Sequence, residues 1–348
     1  MKAAVLEGNE KLIYRDIDTP QTSVGTVQIK VVACGICGSD VPRVFDHAAH
    51  DYPLILGHEF SGIVSAVGEG MENVKVGDHV VAAPLVPCMT CPDCAAGNYS
   101  LCKHYSFIGS RQNGAMADYI VVPAANVLPI PEKLSFKQAA TIEPSTVALH
   151  ALRICSYTAG KRVAVLGCGI IGLYAVQWAK LLGAAHITAI SRGKRGLDAA
   201  MKLGADSAIS TDGTMEEELK AAVKDGFDYV FECSGSETTI QLSLRLVGNK
   251  GTVCFIGTPK KPLQFSVAQF EQINRKECIV TGSWMSYSAP FPGSEWTDTI
   301  DYMSSGKLQF IPELVHGTYP MSQAMEAFRQ IRAGGTKGRV LLLNDMDK

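Results

Sequence analysis

The chain lacks the features that mark nucleic-acid-binding, secreted and membrane-spanning proteins. Its net charge is −2 and only 19% of its residues are charged, so composition gives no sign of binding to nucleic acid or to a membrane surface. The N-terminal residues contain no signal-peptide apolar region, and the most apolar run, 163–176, is too short and glycine-rich to span a bilayer. Internal repeats and low-complexity tracts are also absent. We therefore expect a cytoplasmic protein, whose 348 residues suffice for two domains with separate cores.

What the chain does contain is a dense cysteine cluster in the segment 88–102. Its members are Cys88, Cys91, Cys94 and Cys102. Four soft thiolates this close along the chain suit one closed, tetrahedral, structural zinc. An even cluster can also form disulfides, but the other cysteines are scattered through apolar stretches, as in a reduced cytosolic chain.

A second, mixed constellation precedes this cluster. Cys37 lies in Cys-Gly-Ile-Cys-Gly-Ser-Asp, and His58 and Glu59 follow in Gly-His-Glu. A thiolate, an imidazole and a carboxylate suit a catalytic zinc that keeps one position open. Glu143, just before a helical stretch, is a further carboxylate candidate. Cys34 with Cys37 could instead be a redox pair, although that motif normally precedes a helix and here it ends a strand-like run.

A glycine motif at 167–172 predicts a dinucleotide site. Gly167, Gly169 and Gly172 form Gly-x-Gly-x-x-Gly after a β-branched strand and at the start of an amphipathic helix predicted over 170–182. The first two glycines allow a tight turn and close approach of a pyrophosphate, and the third lets helix and strand pack. The phosphates would then meet unpaired N–H groups at the positive end of the helix.

The end of the following strand bears on which coenzyme binds. Proteins that bind NAD usually carry Asp or Glu there to hold the ribose 2′-hydroxyl, whereas this chain has Ser191. Arg192, Lys194 and Arg195 add three cations directly after it. We therefore predict NADP(H), with NAD(H) as the alternative if these cations form only a solvated loop.

The chain contains two regions of different residue pattern, followed by a tail. Residues 1–148 are rich in Gly and Pro with short Val/Ile runs at 27–32, 62–67, 79–83 and 117–122, which predicts an irregular β domain. From 149 to 285, strands alternate with helical stretches, which predicts a parallel sheet with right-handed crossovers. The predicted strands of this region are 162–166, 186–190, 207–210, 227–233, 252–256 and 278–282. The tail from 286 predicts helices near 297–305 and 321–333 and a strand over 338–343.

These motifs occur in the order found in the zinc-dependent medium-chain alcohol and polyol dehydrogenases, which the whole chain resembles. The phrases at 107–111, 142–150 and 282–287 resemble most the galactitol-1-phosphate branch, and the sorbitol (L-iditol) branch is the nearest broader group. The resemblance implies an α/β fold with a GroES-like β-rich catalytic domain (1–148 and 286–348) and a Rossmann-type doubly wound parallel-sheet coenzyme domain (149–285). It also implies a cleft between the domains.

The family also suggests roles for the metal-site residues. Cys37 and His58 are expected as zinc ligands, and relatives complete the site with the carboxylate equivalent to Glu59, the one equivalent to Glu143, or a water between them. Ser39 resembles the hydroxyl that relays the alcohol's proton. Many relatives carry a histidine where this chain has Pro42, so the proton must leave by another route, through water or Glu143.

The expected reaction transfers a hydride between a secondary alcohol of a sugar alcohol, phosphorylated as in galactitol 1-phosphate, and NAD(P), with two Zn²⁺ per chain in a homodimer or homotetramer. Predicted substrate contacts are Arg43, His50, Arg111, Trp284 and Tyr287. Further predicted coenzyme contacts are Ile170, Ile171, Cys233, Gly257 and Ser283. Arg111 could instead anchor a loop or bridge subunits.

Alternatives remain open at this point. A free-polyol, threonine-type or glucose-type dehydrogenase would share the same metal sites. A zinc-binding interaction module would need only the cysteine cluster, and a zinc-free quinone or enone reductase would lack both metal sites.

Overall fold

The computed structural model describes residues 1–69, 74–213, 215–336 and 338–344. They form two compact units: the first contains Met1–Glu143, Tyr287–Gly306 and the described residues from Val315 onward, and the second contains Pro144–Ser286 and Lys307–Leu314. The second unit thus begins before the predicted boundary at 149 and also takes 307–314. Hydrogen bonds explain both differences, because Trp178 donates to Ser145 (3.1 Å), and Gln177 bonds Gln309 in both directions (3.2 and 2.7 Å).

The described chain contains runs of strands in its first part and alternating strands and helices from residue 162 onward. The strands are β1 (Lys2–Gly8), β2 (Lys11–Asp16), β3 (Thr26–Ile36), β4 (Leu54–Ile55), β5 (Glu59–Val67), β6 (His79–Ala82), β7 (Leu85–Val86), β8 (Ser106–Phe107), β9 (Tyr119–Pro123), β10 (Val127–Pro129), β11 (Arg162–Leu166), β12 (His186–Ser191), β13 (Ser207–Ser210), β14 (Phe227–Glu232), β15 (Val247–Phe255), β16 (Ile279–Gly282), β17 (Val315–Pro320) and β18 (Arg339–Leu343). The α-helices are α1 (Asp40–Phe45), α2 (Pro92–Ala95), α3 (Phe136–Ala139), α4 (Ile142–Ile154), α5 (Ile170–Leu181), α6 (Lys194–Lys202), α7 (Glu216–Asp225), α8 (Glu237–Leu246), α9 (Val267–Lys276), α10 (Ser294–Ser304) and α11 (Ala324–Arg332). Short 3₁₀ turns cover Tyr99–Leu101, Ala124–Asn126, Pro312–Leu314 and Met321–Gln323. None of the described helices has the length and apolarity needed to cross a lipid bilayer.

The first unit is built around a seven-stranded sheet in the order β10-β6-β5-β3-β18-β17, with β9 paired to β3. The first part of β3 alternates, with Val27, Ile29 and Val31 fully buried and the residues between them partly exposed, as a strand with one covered face should. Its last four residues are all buried. The central strand therefore enters the interior at the end from which Cys37 follows.

The second unit is a parallel six-stranded sheet in the order β13-β12-β11-β14-β15-β16. The predicted strands 162–166 and 207–210 coincide with β11 and β13, and the predicted α/β fold class with a parallel coenzyme sheet is confirmed. From β11 the chain proceeds to β12 and β13 on one side and then to β14 on the other. This reversal opens a crevice at the carboxyl ends of the strands, where open α/β sheets bind ligands.

Candidate functional site

The four cysteines of the 88–102 lobe lie together in the first unit. Their Sγ atoms are all within 4.8 Å of one another, and those of Cys88 and Cys94 are 4.0 Å apart. A disulfide needs sulfurs about 2 Å apart, whereas sulfurs around one tetrahedral zinc are about 3.8 Å apart at a Zn–S distance of about 2.3 Å. The spacing therefore fits a closed four-thiolate zinc site.

Local backbone geometry builds this lobe. The amide of Cys91 donates to Cys88 Sγ (3.3 Å), and the amide of Cys94 donates to Cys91 Sγ (3.5 Å) at the start of α2. Hydrogen bonds from Thr90 lower the pKa of Cys88 to about 6, while burial raises the pKa of Cys94 to about 12. A bound Zn²⁺ would deprotonate the set, because coordinating thiols lose their protons.

The pairing of β3 with β5 assembles the second constellation. Gly35 lies opposite Glu59 in the antiparallel register, so Cys37, just after β3, comes beside His58 and Glu59 at the start of β5. One ligand atom from each of these three residues lies within 4.8 Å of the other two. The site therefore depends on strand register.

Two glycines make room for this cluster. A Cβ on Gly35 would lie 2.6 Å from Glu59 Oε2, and a Cβ on Gly57 would lie 2.7 Å from Cys34 Sγ. Gly57 also has φ +100°, a conformation that favours glycine. Burial raises the pKa of the Cys34 thiol far above its usual range, which leaves it a poor thiolate for redox exchange with Cys37.

Asp40, the last residue of the Cys-Gly-Ser-Asp motif, joins the site although no role was predicted for it. Its carboxylate is fully buried and accepts a hydrogen bond from the Cys37 amide through Oδ2 (3.1 Å). Oδ1 lies 3.7 Å from His58 Nδ1 and accepts from Arg43 Nη1 (2.9 Å). The contact with His58 is longer than a hydrogen bond, so Asp40 lies behind the imidazole as an electrostatic neighbour, in the place where carboxylates support metal-binding histidines.

Arg339 also joins the site from β18. Its Nη2 lies 2.9 Å from Glu59 Oε1 as a buried ion pair, outside hydrogen-bond geometry, while Nη1 donates to the Ile36 carbonyl (2.8 Å). The antiparallel pairing of β18 with β3 sets this position, since Val340 lies opposite Ile36. Sequence spacing offered no signal for this contact, because it arises from strand pairing between the two ends of the first unit.

The donor set fits a divalent cation. Both oxygens of Glu59 are buried and have no hydrogen-bond partner among the described residues, as expected of groups that a metal would satisfy. Four acidic groups, from Cys37, Asp40, Glu59 and Glu143, face the guanidiniums of two arginines. Full ionisation therefore leaves two negative charges, which one Zn²⁺ would balance.

Glu143 lies within the first turn of α4 rather than before a helix. Burial raises its pKa to about 7 and raises that of Glu59 to about 8, each with help from neighbouring acidic groups. Among the described residues, the close ligand group includes Glu59 and leaves Glu143 outside it. Glu59 therefore lies among the atoms that are close enough to share one metal ion, and Glu143 contributes charge beside them.

In the second unit the glycine motif forms the predicted turn between β11 and α5. Gly167 has φ +92°, and Gly169 is the N-terminal cap of the helix. A Cβ on Gly172 would lie 1.9 Å from the Gly167 carbonyl oxygen, so only glycine fits. Ile170 and Ile171 begin the helix. Their amides belong to the first turn, where a phosphate would bind.

The other predicted coenzyme residues lie along the same edge of the parallel sheet. Ser191 ends β12, Cys233 follows β14, Gly257 lies just beyond β15 and Ser283 follows β16. The Cys168 amide donates to Ser191 Oγ (3.4 Å), which ties the glycine turn to the strand beside it. Carboxyl ends of parallel strands meet at one edge, so these residues together border the crevice.

A buried glutamate that the sequence did not single out shapes this edge. Glu232 ends β14 and accepts hydrogen bonds from the amides of Ser234 (2.9 Å) and Gly235 (3.0 Å) and from the Thr239 hydroxyl (2.8 Å). It therefore holds the turn after Cys233. Its place before Cys-Ser-Gly at a strand end was the available signal.

The cations after Ser191 differ in their surroundings. Lys194 forms an exposed ion pair with Asp198 (3.0 Å) one turn along α6. Arg195, more weakly than Lys202, lowers the pKa of Glu313. Arg192 is exposed in the loop before α6. Arg192 is therefore the best placed of the three to meet an anion beside Ser191.

The loop at 107–111 packs closely against Gly57, which directly precedes the candidate ligands His58 and Glu59. The Phe107 ring lies edge-on to His58, with ring centroids 5.5 Å apart. Cβ atoms on Gly109 and Gly114 would lie 2.6 and 2.3 Å from the Gly57 carbonyl oxygen. Arg111, exposed at the end of this loop, stacks on the Tyr105 ring at 4.6 Å. The structure thus brings the Arg111 loop to the Cys37 site.

The remaining predicted substrate residues are more scattered. His50 is exposed beyond α1, and Trp284, 54% exposed, belongs to the second unit. Tyr287 is only 3% exposed, its hydroxyl accepts a hydrogen bond from the Leu85 amide (2.9 Å), and its ring stacks on Phe291 and Trp296. It therefore packs in the core of the first unit and offers a substrate little surface.

Two family profiles match the chain. The alcohol dehydrogenase GroES-like domain matches residues 23–132, and the zinc-binding dehydrogenase domain matches residues 171–305. Together with the two metal clusters and the coenzyme turn, they show that the chain belongs to the zinc-dependent medium-chain alcohol dehydrogenase family. It is an oxidoreductase of that family, whose cofactors are zinc and a nicotinamide dinucleotide.

Within the family the chain is similar to polyol dehydrogenases. It is 38% identical to galactitol 1-phosphate 5-dehydrogenase of Escherichia coli K12 over 91% of this chain and 92% of that one. It is 33% identical to D-arabitol-phosphate dehydrogenase of Enterococcus avium over 94% and 92% of the respective chains.

Solved structures agree with this placement. The crystal structure of galactitol-1-phosphate dehydrogenase from E. coli superposes with a TM-score of 0.93 at 36% identity, covering 99% of this chain and 100% of that chain. A zinc-binding dehydrogenase from Sinorhizobium meliloti bound to NADP superposes with a TM-score of 0.89 at 28% identity, covering 98% of each chain.

Proposed function

We propose that the chain oxidises a secondary alcohol of a phosphorylated sugar alcohol to the keto sugar phosphate, with NADP as the hydride acceptor. The carrying observation is the Arg111 loop, which glycine contacts and Phe107 fix against the metal-ligand segment. Two similar enzymes are named for polyol phosphates, which supports this substrate class. A free-polyol or threonine-type dehydrogenase is the alternative.

The chemistry follows from the donor set. Cys37, His58 and Glu59 would hold the catalytic zinc, which when bound supplies the Lewis acidity that makes a coordinated hydroxyl acidic. Ser39 would take up the alcohol's proton, and the turn at Gly167–Gly172 would hold the coenzyme, whose nicotinamide when bound supplies the hydride acceptor. The second zinc, held by the cysteines of the 88–102 lobe, has a structural role.

Arginine is suited to a substrate phosphate. Its guanidinium can form two parallel charge-assisted hydrogen bonds with phosphate oxygens. Stacking on Tyr105 holds the Arg111 guanidinium by its face, which leaves its edge as the part that would meet an anion. We propose that Arg111 binds the phosphate while the carbon chain extends toward the metal.

The coenzyme preference is proposed from the end of β12. Ser191 replaces an acid that would repel a 2′-phosphate, and Arg192 follows in an exposed loop. Charge-assisted hydrogen bonds are worth roughly 1.5–3 kcal/mol each. Losing Arg192 should therefore raise the Michaelis constant for NADP by about one to two decades, with little change for NAD, and Ser191→Asp should shift preference toward NAD.

The test is a panel of hexitol and pentitol phosphates and the matching free polyols, assayed with NADP and with NAD. We expect the highest kcat/KM for a phosphorylated substrate with NADP, and a selective loss on phosphorylated substrates in Arg111→Ala. Lys103→Ala, which removes a neighbouring exposed cation, is the matched control. Equal efficiency on free and phosphorylated polyols would return the chain to the free-polyol group, and a preference for NAD would reject the role of Arg192.

We also propose that the chain forms a homo-oligomer through the edge of the parallel sheet. The edge strand β16 leaves Ile279 59% exposed and Val280 39% exposed, and Val267 and Phe270 of α9 are also exposed. Unpaired apolar edge strands are usually covered. Light scattering after size exclusion should therefore report a dimer or tetramer, and Ile279→Lys should weaken it. A wild-type monomer would reject the proposal.

A further inference from the structure

Arg43 sits at the centre of a small network on α1. Ser39 is at the N-cap position of this helix without a capping side-chain hydrogen bond, Asp40 begins the helix and Arg43 follows one turn later. The Arg43 side chain can therefore reach both Ser39 and Asp40. A single nitrogen of the guanidinium, Nη1, donates to Ser39 Oγ (3.0 Å) and to Asp40 Oδ1 (2.9 Å). The Arg43 side chain is 17% exposed and that of Asp40 is completely buried.

Asp40 connects this network to two of the candidate metal ligands, Cys37 and His58. One of its oxygens accepts from the Cys37 amide, and the other lies 3.7 Å from His58 Nδ1. Arg43 therefore contacts the carboxylate that accepts from the Cys37 amide and lies beside His58, and also the hydroxyl proposed to take the alcohol's proton.

The same contacts compete with the prediction that Arg43 binds the substrate phosphate. Turning the guanidinium toward a substrate would leave the Asp40 carboxylate buried without its cation, which is strongly unfavourable. Arg332 offers a contrast nearby, since it pairs bidentately with Asp46 at 2.8 Å but is 51% exposed. The Arg43 pair is buried beside the metal ligands, and the Arg332 pair is a surface contact.

We propose that Arg43 is a positioning residue: it fixes Asp40 against Cys37 and His58 and fixes the Ser39 hydroxyl for proton uptake. This inference rests on the proposed dehydrogenase function. A guanidinium has no acceptor and cannot itself take a proton. As the alcohol's proton moves to Ser39 Oγ, the hydroxyl's own proton must therefore pass to water rather than to Arg43. Many relatives have a histidine at the position of Pro42, and this chain lacks that group.

The experiment compares Arg43→Met, Arg43→Lys and Ser39→Ala with the control Arg332→Met. The first readout needs no substrate: the catalytic metal is replaced by Co²⁺, and its visible spectrum and rate of transfer to a chelator are measured. Zinc in the four-cysteine lobe of the same protein is the internal reference for folding. The second readout is kcat and KM on a polyol phosphate and on the matching free polyol.

Arg43→Met should release cobalt about 10- to 100-fold faster and shift its spectrum, as loss of outer contacts to metal ligands does elsewhere. Its kcat should fall by a similar factor on both substrates, with KM changed less than about threefold. Arg43→Lys keeps the cation and should recover most of the cobalt retention. Ser39→Ala should retain cobalt like the wild type but lose kcat, and Arg332→Met should match the wild type in every readout.

Wild-type cobalt retention in Arg43→Met, with a KM raised tenfold or more for the phosphorylated substrate only, would overturn the proposal and make Arg43 a phosphate contact. Equal losses in Arg332→Met would overturn it as well, by showing a general effect of surface charge. If the wild type turns over neither substrate, the proposed function fails, while the cobalt readout still decides the role of Arg43. If Arg43→Met also loses lobe zinc, recovery in Arg43→Lys supports the proposal and failure to recover rejects it.

Discussion

The two metal clusters of the first unit are built in different ways. The 88–102 lobe takes all its sulfurs from one short segment and surrounds them with backbone amides from the same segment. The Cys37 site takes its donors from the ends of β3 and β5 and surrounds them with buried charges from α1, α4 and β18. A closed site built from one segment is typical of a structural metal. A site assembled from several segments and surrounded by ionisable groups, here called the assembled site, is typical of a catalytic metal.

Because the Cys37 site is assembled from distant segments, its geometry is more easily disturbed by substitutions elsewhere in the first unit than that of the lobe. Its geometry depends on the β3–β5 register and on the β18–β3 pairing that delivers Arg339. The lobe depends on its own turn and on packing against the tail, where a Cβ on Gly97 would lie 2.8 Å from that of Ala289. Mutations should therefore separate the two sites: one set removes turnover and the other removes stability.

Cys37→Ser should produce the largest effect. Losing the thiolate ligand removes Lewis-acid activation worth several kcal/mol, so turnover should fall on the order of 10³-fold or more. Unfolding by urea should change little, because the lobe and the sheet remain intact. Cys278→Ser, a substitution in the second unit, is the control. Near-normal turnover in Cys37→Ser would refute the catalytic assignment.

Cys91→Ser should lower the stability of the first unit, which Cys37→Ser should leave almost unchanged. Structural zinc contributes on the order of 10 kcal/mol in small zinc peptides, and we expect several kcal/mol here because the large sheet supports the rest of the unit. The free energy of unfolding of the first unit and the zinc content should both fall. Unchanged urea midpoint and zinc content would contradict a structural role for the lobe.

Gly35→Ala should disturb only the assembled site. The added methyl would lie 2.6 Å from Glu59 Oε2, and overpacking of this kind costs about 1–3 kcal/mol. Turnover and retention of the catalytic metal should each fall about 10-fold, with lobe zinc unaffected. Gly8→Ala is the matched control, since its Cβ would meet nothing within 4 Å. If both alanines behave alike, strand register is not what holds Glu59 in place.

Much of this contrast could be predicted from local sequence. The cysteine spacing indicated the lobe, and the strands 162–166 and 207–210 were bounded correctly because turns that contain glycine follow both. The Gly-His-Glu and Cys-Gly-Ser-Asp motifs indicated the ligands. The alternation of β and α indicated the parallel sheet, whose strand order the structure supplies.

The charges around the assembled site could not be predicted in the same way. Arg339 reaches Glu59 only because β18 pairs with β3, and that register is set by distant parts of the chain. Arg43 was predicted to face the pocket mouth, although its spacing from Ser39 and Asp40 matches one helical turn. The short helix α1, which brings these three side chains together, was not predicted from the sequence. Tyr287 was likewise predicted to contact the substrate, but packing with Phe291 and Trp296 buries it.

Stepwise metal removal tests the contrast between the two sites most directly. Wild-type protein would be titrated with a chelator while released zinc, turnover and far-UV circular dichroism are followed together. We predict two zinc ions per chain: the first leaves with all turnover while the circular dichroism stays constant, and the second leaves with loss of structure in the first unit. One zinc per chain, or a first release that leaves turnover intact, would contradict the assignment of a catalytic site at Cys37 and a structural site at the lobe.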